Sequence, residues 1–239
     1  MPPGLFFQSS GAQGQPINIA RSMFVTQALQ KNAKYIFFLD SDVEIPHDGL
    51  VKLYNAKRPV VAGVYCGRAP PYALSANINR KPLPIDALTQ YPDRLVDVHQ
   101  VGMGLCLIDM RVIERMSTML KMQWRCMKEH RRELGVKTAP DITTPAEVAT
   151  YTNEQAKSLE WRCQFCRGSL ISDFFNYTIG TELVNKYGPM SEDYYFCNKA
   201  RECGFPIAIH TGVFGYHELL GMKITREGLF NPVTSGHEI

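Results

Sequence analysis

Two short apolar runs constrain this chain more than anything else in it: Tyr35-Ile-Phe-Phe-Leu39, which stops at Asp40-Ser-Asp42, and Pro59-Val-Val-Ala-Gly-Val-Tyr65. Each has the length of a strand, and an unbroken apolar run of that length suits a strand covered on both faces. Helical patterns lie around them. Ile17, Ala20, Phe24, Ala28 and Leu29 recur at near-helical spacing and predict a helix from Ile17 to Gln30. Pro46 can open a helix over 46–53, and Val112, Ile113, Met116 and Leu120 share one face of a helix over 110–120. Further strands are expected at 5–8, 105–108 and 206–210, and Ser191-Glu-Asp193 opens a helix that Gly204 stops. Strands alternating with helices predict an α/β fold with an open, mostly parallel sheet flanked by helices.

Composition narrows the class. A chain of 239 residues, 45% hydrophobic and 21% charged, can bury one core and is neither disordered nor a coiled coil. A net charge of +3 creates no field that demands nucleic acid. The start, Met1-Pro-Pro-Gly-Leu-Phe-Phe, lacks the basic and apolar regions of a leader, and 35–39 is too short to cross a bilayer. The expectation is a cytoplasmic protein without a transmembrane segment, its seven cysteines reduced. Residues 66–94 carry five prolines and predict an extended loop region. The segment 121–178 differs in composition and is expected to be an insertion or acceptor-side subdomain within a single domain over 1–239.

Chemistry concentrates in four places. Asp40-Ser41-Asp42 ends a buried strand, where side chains of an open sheet face the ligand crevice and two carboxylates can hold a hard divalent cation with its phosphate oxygens. The plainer alternative is a turn capped by those carboxylates. Glu192 and Asp193 stand at a helix start, where acids are ordinary; aimed at a substrate hydroxyl, Asp193 in particular can act as general base. His217 can complete a metal site as a neutral imidazole, with His210 and His237 as rivals. Finally, Cys126-x3-His130 and Cys163-x2-Cys166 are two donor pairs of zinc-site type, set against the ordinary alternative of buried thiols beside aromatic residues.

The order of four stretches resembles the GT-A-fold glycosyltransferases, and family 2 in particular. They are Ile19-Ala-Arg-Ser22, Tyr35-Ile-Phe-Phe-Leu-Asp-Ser-Asp-Val43, Val101-Gly-Met-Gly-Leu-Cys-Leu-Ile108, and Ser191-Glu-Asp-Tyr-Tyr-Phe-Cys-Asn-Lys-Ala-Arg-Glu-Cys-Gly-Phe205 with His217 behind it. The resemblance implies a GT-A-like, Rossmann-like sheet, expected here to lack its first strand. It implies a donor site of Arg21, Asp40, Ser41, Asp42, Gly102 and Gly104. It implies Mn²⁺ or Mg²⁺ on Asp42, Asp40 and His217, and Asp193, with Glu192 beside it, as base in an inverting transfer. The donor it implies is a nucleotide sugar, most simply a UDP-sugar; the acceptor is open among a glycan, a lipid-linked sugar, a protein and a modified nucleic acid base. Trp161 and Phe165 are expected acceptor contacts, since aromatic faces suit sugar rings. The non-catalytic alternative is a degenerate transferase-like binding protein with a structural zinc. A pyrophosphorylase would need a glycine-rich basic loop that this sequence lacks.

Overall fold

Both apolar runs become strands of one five-stranded sheet of the computed structural model, which describes residues 15–67, 73–84, 86–127, 150–164, 167–177, 190–219, 222–224 and 230–232. In chain order the strands are β1 Tyr35–Leu39, β2 Val43–Glu44, β3 Val60–Val64, β4 Ala76–Ile78, β5 Lys81–Pro82, β6 Leu95–Val98, β7 Gln100–Val101 and β8 Leu105–Asp109. They continue as β9 Trp124–Cys126, β10 Thr150–Tyr151, β11 Leu170–Ile171, β12 Ile207–Phe214, β13 Tyr216–Leu219, β14 Met222–Ile224 and β15 Phe230–Pro232. The large sheet has the order β1-β8-β3-β12-β6. Every residue of β3 and of β8 is buried, as a strand covered on both faces requires.

The chain is a mixed α/β protein, and strand direction corrects the expectation of a mostly parallel sheet. β12 runs parallel to β3, while β3 with β8 and β12 with β6 are antiparallel. The bonds Asp40 N to Gly104 O and Met110 N to Lys34 O sit at opposite ends of β1 and β8 and make that pair antiparallel too. Thus β1, β3 and β12 run one way, with β8 and β6 returning against them. A parallel neighbour needs a long crossover, usually a helix. Between β3 and β8 the described residues instead form short strands and one five-residue helix, Asp86–Gln90, and β8 comes back antiparallel.

Two compact units divide the chain: Met1–Ile36 with Met110–Cys203, and Phe37–Asp109 with Gly204–Ile239. The second holds the large sheet, whose strands β3, β8 and β12 are covered by the helix Gly49–Asn55. It also holds the sheets β15-β14-β13-β2 and β5-β4-β7. The last of these replaces part of the loop expected over 66–94. Strands of two and three residues leave no readable alternation, and Pro82 is tolerated because β5 is an edge.

The first unit packs the helices Ile17–Gln30, Met110–Met119 and Glu192–Glu202 with the small antiparallel sheet β10-β9-β11. In Met110–Met119 the buried residues include Val112, Ile113 and Met116, the face expected from spacing. In Ile17–Gln30 they do not follow the apolar pattern: Ile17 is exposed, whereas Arg21, Ser22 and Thr26 are buried with Ile19, Ala20 and Val25. Thr26 Oγ1 donates to the carbonyls of Ser22 at 3.1 Å and of Leu170 at 2.6 Å. The small sheet is filled by Trp124, whose ring lies 4.5 Å from Trp161 and 5.5 Å from Phe174. Thr152 and Gln155 form a reciprocal capping box at the start of the helix Asn153–Ser158. Among the described residues no helix is long and apolar enough to cross a membrane. The strand expected at 5–8 lies outside the described residues.

Candidate active site

Pairing of β2 with β13 sets Tyr216 opposite Glu44 and His217 opposite Val43, the residue that follows the Asp40-Ser41-Asp42 turn. His217 Nε2 consequently lies 3.7 Å from Asp42 Oδ2. The other ring nitrogen, Nδ1, is 2.7 Å from the Cys66 carbonyl oxygen. A carbonyl only accepts, so the proton of the neutral ring is assigned to Nδ1, and Nε2 turns its lone pair toward the carboxylate. A backbone carbonyl on the far nitrogen is the usual support of a metal-binding histidine. His217 is 6% exposed, while the Asp42 side chain keeps 28% of its surface open.

Two donors about 2.1 Å from one cation stand about 3.0 Å apart at a right angle and about 3.6 Å apart at 120°. The observed 3.7 Å between Nε2 and Oδ2 is wider than the about 3.0 Å between neighbouring positions of an octahedral shell, so the two groups would have to close by several tenths of an ångström to share such a cation. Among the described residues no group of three or more His, Cys, Asp and Glu is arranged around a common metal position. The described residues bring two possible donors together here, and a cation held by them would take its remaining ligands from elsewhere.

Asp40 serves this corner by packing. Its N–H donates to the Gly104 carbonyl at 2.9 Å, and Tyr65 Oη accepts the Gly104 N–H at 3.0 Å. The Tyr65 ring meets His217 edge-on with centroids 5.0 Å apart. A Cβ on Gly104 would come within 2.7 Å of both Asp40 Oδ2 and Tyr65 Oη, and one on Gly102 within 2.4 Å of the same hydroxyl. The two glycines, expected to admit a sugar, make room for Tyr65 and Asp40. Ser41 is exposed. Gly102→Ala is expected to destabilise the protein by about 1–3 kcal/mol. Tyr65→Phe should recover part of that loss, because the next nearest atoms, Tyr65 Cζ and Ser75 Cβ, are 3.2 Å away. Urea denaturation of the two single variants and the double variant measures the coupling; purely additive effects would contradict the packing account.

His210 has other company. Its Nδ1 accepts the Gly212 N–H at 3.3 Å and stands 4.0 Å from Asp93, and burial lowers its pKa from the ordinary value. His237 lies outside the described residues.

Arg21, Glu192 and Asp193 come together in the first unit. Arg21 Nη1 donates to Glu192 Oε1 at 2.8 Å and also to Asp193 Oδ1. The guanidinium carbon is 6.0 Å from the centroid of Phe175, which stacks on Phe196 at 4.7 Å. Burial, followed by the charge of Glu192 and a hydrogen bond to it, raises the Tyr177 phenol above its ordinary pKa. Ser191 occupies the N-cap position without a side-chain capping bond. Arg21 is thus a partner of the two acids rather than a separate basic residue of a donor loop. Asp40, Asp42, Gly102, Gly104 and His217 belong to the second unit.

Trp161 is buried against Trp124, which takes up the ring expected to meet an acceptor. Phe165, His130 and Cys166 lie outside the described residues, whereas Cys126 and Cys163 are buried. Sequence reasoning missed Tyr65, Cys66, Phe175 and Tyr177. Of these only Tyr65 carried a signal, as a polar-tipped ring closing an apolar strand.

No family model matches the chain, and no curated protein matches it significantly. Among solved structures it is similar to the crystal structure of A197 from STIV, with 13% identity over 90% of this chain and 75% of that chain and a TM-score of 0.47.

Proposed function

We propose that the chain is a metal-dependent glycosyltransferase that moves a sugar from a nucleotide-sugar donor, a UDP-sugar in the simplest case, to an acceptor hydroxyl. The observation that supports it is the His217 Nε2 and Asp42 Oδ2 pair, 3.7 Å apart with Nδ1 tied to Cys66. In this reading Asp42 and His217 hold Mn²⁺ or Mg²⁺, and Asp40 keeps the turn that presents Asp42. The cation supplies Lewis-acid neutralisation of the leaving diphosphate. Asp193 takes the acceptor proton, and Arg21 holds that carboxylate in place. The finer fold belongs to the same proposal: an open GT-A-like sheet whose co-directional strands are β1, β3 and β12.

Calorimetry with UDP in the presence and absence of Mn²⁺ tests the reading. Binding that requires the cation is expected, together with UDP release from at least one sugar nucleotide of a panel. Asp193→Asn is expected to abolish transfer while leaving cation-dependent UDP binding intact. An absence of UDP binding at millimolar concentration with Mn²⁺ present overturns the proposal and favours a binding protein without transferase activity.

A further inference from the structure

In the second unit the pairing of β12 with β3 is interrupted. Their register holds from Ile207 to Ile209 and resumes at Phe214, with a shift in between. Gly212 lies in that gap, and two side chains hold it. His210 Nδ1 accepts the Gly212 N–H at 3.3 Å, and Lys52 Nζ donates to the Gly212 carbonyl at 3.3 Å. A Cβ on Gly212 would overlap the Asp93 carboxylate. Asp93 in turn accepts from Lys52 at 3.2 Å and stands 4.0 Å from His210 Nδ1. Thr211, between the two, fixes the turn that carries Asp93. Its Oγ1 accepts the Arg94 N–H at 2.9 Å, its own N–H donates to the Arg94 carbonyl at 2.9 Å, and its hydroxyl donates to the Tyr91 carbonyl.

A ring nitrogen that accepts an N–H carries a lone pair, so the proton of the neutral His210 ring is assigned to Nε2. A second proton goes to Nδ1. There it meets the Gly212 N–H donor to donor, on a side chain only 14% exposed. The acceptor at hand is Asp93 Oδ1, which must close from 4.0 Å by about 1 Å to form a hydrogen bond. That same oxygen is the one Lys52 holds. The charged groups around the ring come from three places. Asp93 and the exposed Arg94 stand in the turn before β6. Lys52 lies on the helix Gly49–Asn55, bonded at 3.1 Å to Asp48 at its cap. On β6, Asp97 is engaged by Arg58 at 3.2 Å. The strand β3 presents apolar residues alone. Burial outweighs the attraction of Asp93 and sets the His210 pKa below its ordinary value.

We propose that His210 is an acid-sensitive latch on β12. Neutral, it holds the Gly212 N–H and leaves Asp93 to Lys52. Protonated, it releases the Gly212 N–H, turns its new proton to Asp93 and competes with Lys52 for that carboxylate. The strand then loosens where its ladder to β3 is already broken. The direction with pH follows from linkage. A histidine whose pKa is lower in the fold takes up its proton first in the open or unfolded chain. Its contribution is therefore complete above about pH 6.5 and is lost as pH falls through that value toward the folded-state pKa. This inference does not rest on the transferase reading.

Nitrogen-15 spectra of the full chain labelled at histidine are expected to show His210 protonated at Nε2 at neutral pH and titrating with a midpoint below about 6.5. Protection of the Gly212 amide against hydrogen exchange, taken relative to the unfolded-chain rate at each pH, should fall by about 3- to 10-fold between about pH 7.5 and about pH 5.5. In His210→Asn, whose Oδ1 takes the place of the accepting Nδ1 and does not titrate, that fall should be absent. Asp93→Asn should lower the midpoint by a further 0.2–0.5 of a pH unit or about that, since it removes the attraction that partly offsets burial. A midpoint at or above about 6.5, a neutral ring protonated at Nδ1, or Gly212 protection that is the same at both pH values overturns the proposal. These three are read on the wild-type chain, so a variant that fails to fold leaves the test intact. A midpoint that rises in Asp93→Asn overturns Asp93 as the acceptor.

Discussion

Asp42→Ala is expected to lower Mn²⁺-dependent release of UDP from the accepted sugar nucleotide by about 100-fold or more, while the melting temperature stays within about 3 °C of wild type. The asymmetry follows from exposure. The Asp42 side chain keeps 28% of its surface open, so its removal leaves no sizeable cavity, yet it takes away the carboxylate that faces His217. His217 is different. It is 6% exposed, packs against Tyr65 and bonds the Cys66 carbonyl, so its truncation harms stability and metal binding together and separates the two effects poorly. Asp42→Asn gives the finer measurement: it keeps the shape and removes the charge, and the Mn²⁺ concentration for half-maximal activity should rise by about 10-fold or more. Initial rates across a manganese titration, with circular dichroism to follow unfolding, check both expectations. Full activity with an unchanged manganese dependence in Asp42→Ala would remove the metal assignment.

How far the sequence reached depended on whether a feature is local. The helices Ile17–Gln30, Met110–Met119 and Glu192–Glu202 and the strands Tyr35–Leu39, Val60–Val64 and Leu105–Asp109 were legible because each carries its own period or its own apolar run. Strand direction was not, since the same residues Leu105–Asp109 serve a parallel or an antiparallel neighbour equally well; only the short connections before them decide, and these carry no periodicity. The site divided in the same way. Asp40 and Asp42 could be read from a strand end. The choice of His217 over His210 could not, because it rests on the register of Val43 opposite His217 across two short strands. Tyr65 and the glycines were legible only in part: Gly102 and Gly104 signal a close approach of something to the backbone, and the fold identifies that something as the Tyr65 hydroxyl and the Asp40 carboxylate.

Arg21→Met is expected to destabilise the protein by about 3–5 kcal/mol, which for a chain of this size lowers the melting temperature by roughly 6–20 °C. Arg21 is 3% exposed and bonded to both Glu192 and Asp193. Methionine fills much of the same volume, so most of the loss comes from two carboxylates stripped of their cation in a buried place. The buried stripe of the helix Ile17–Gln30 contains Arg21, Ser22 and Thr26 beside Ile19, Ala20 and Val25, and each buried polar group must be matched by a partner. Arg21→Lys should fall between wild type and Arg21→Met, because an ammonium keeps the charge but lacks the length and planar donor group of the guanidinium, whose Nη1 meets both carboxylates. Adding Glu192→Gln to Arg21→Met should recover part of the loss, since the remaining acid, Asp193, is the more exposed of the two, at 15% against 9% for the side chain. Denaturant titrations of the four proteins measure these steps. A loss below about 1 kcal/mol in Arg21→Met, the range of a solvent-exposed ion pair, would mean that the network is screened by water and that Arg21 is held in place for binding rather than for stability.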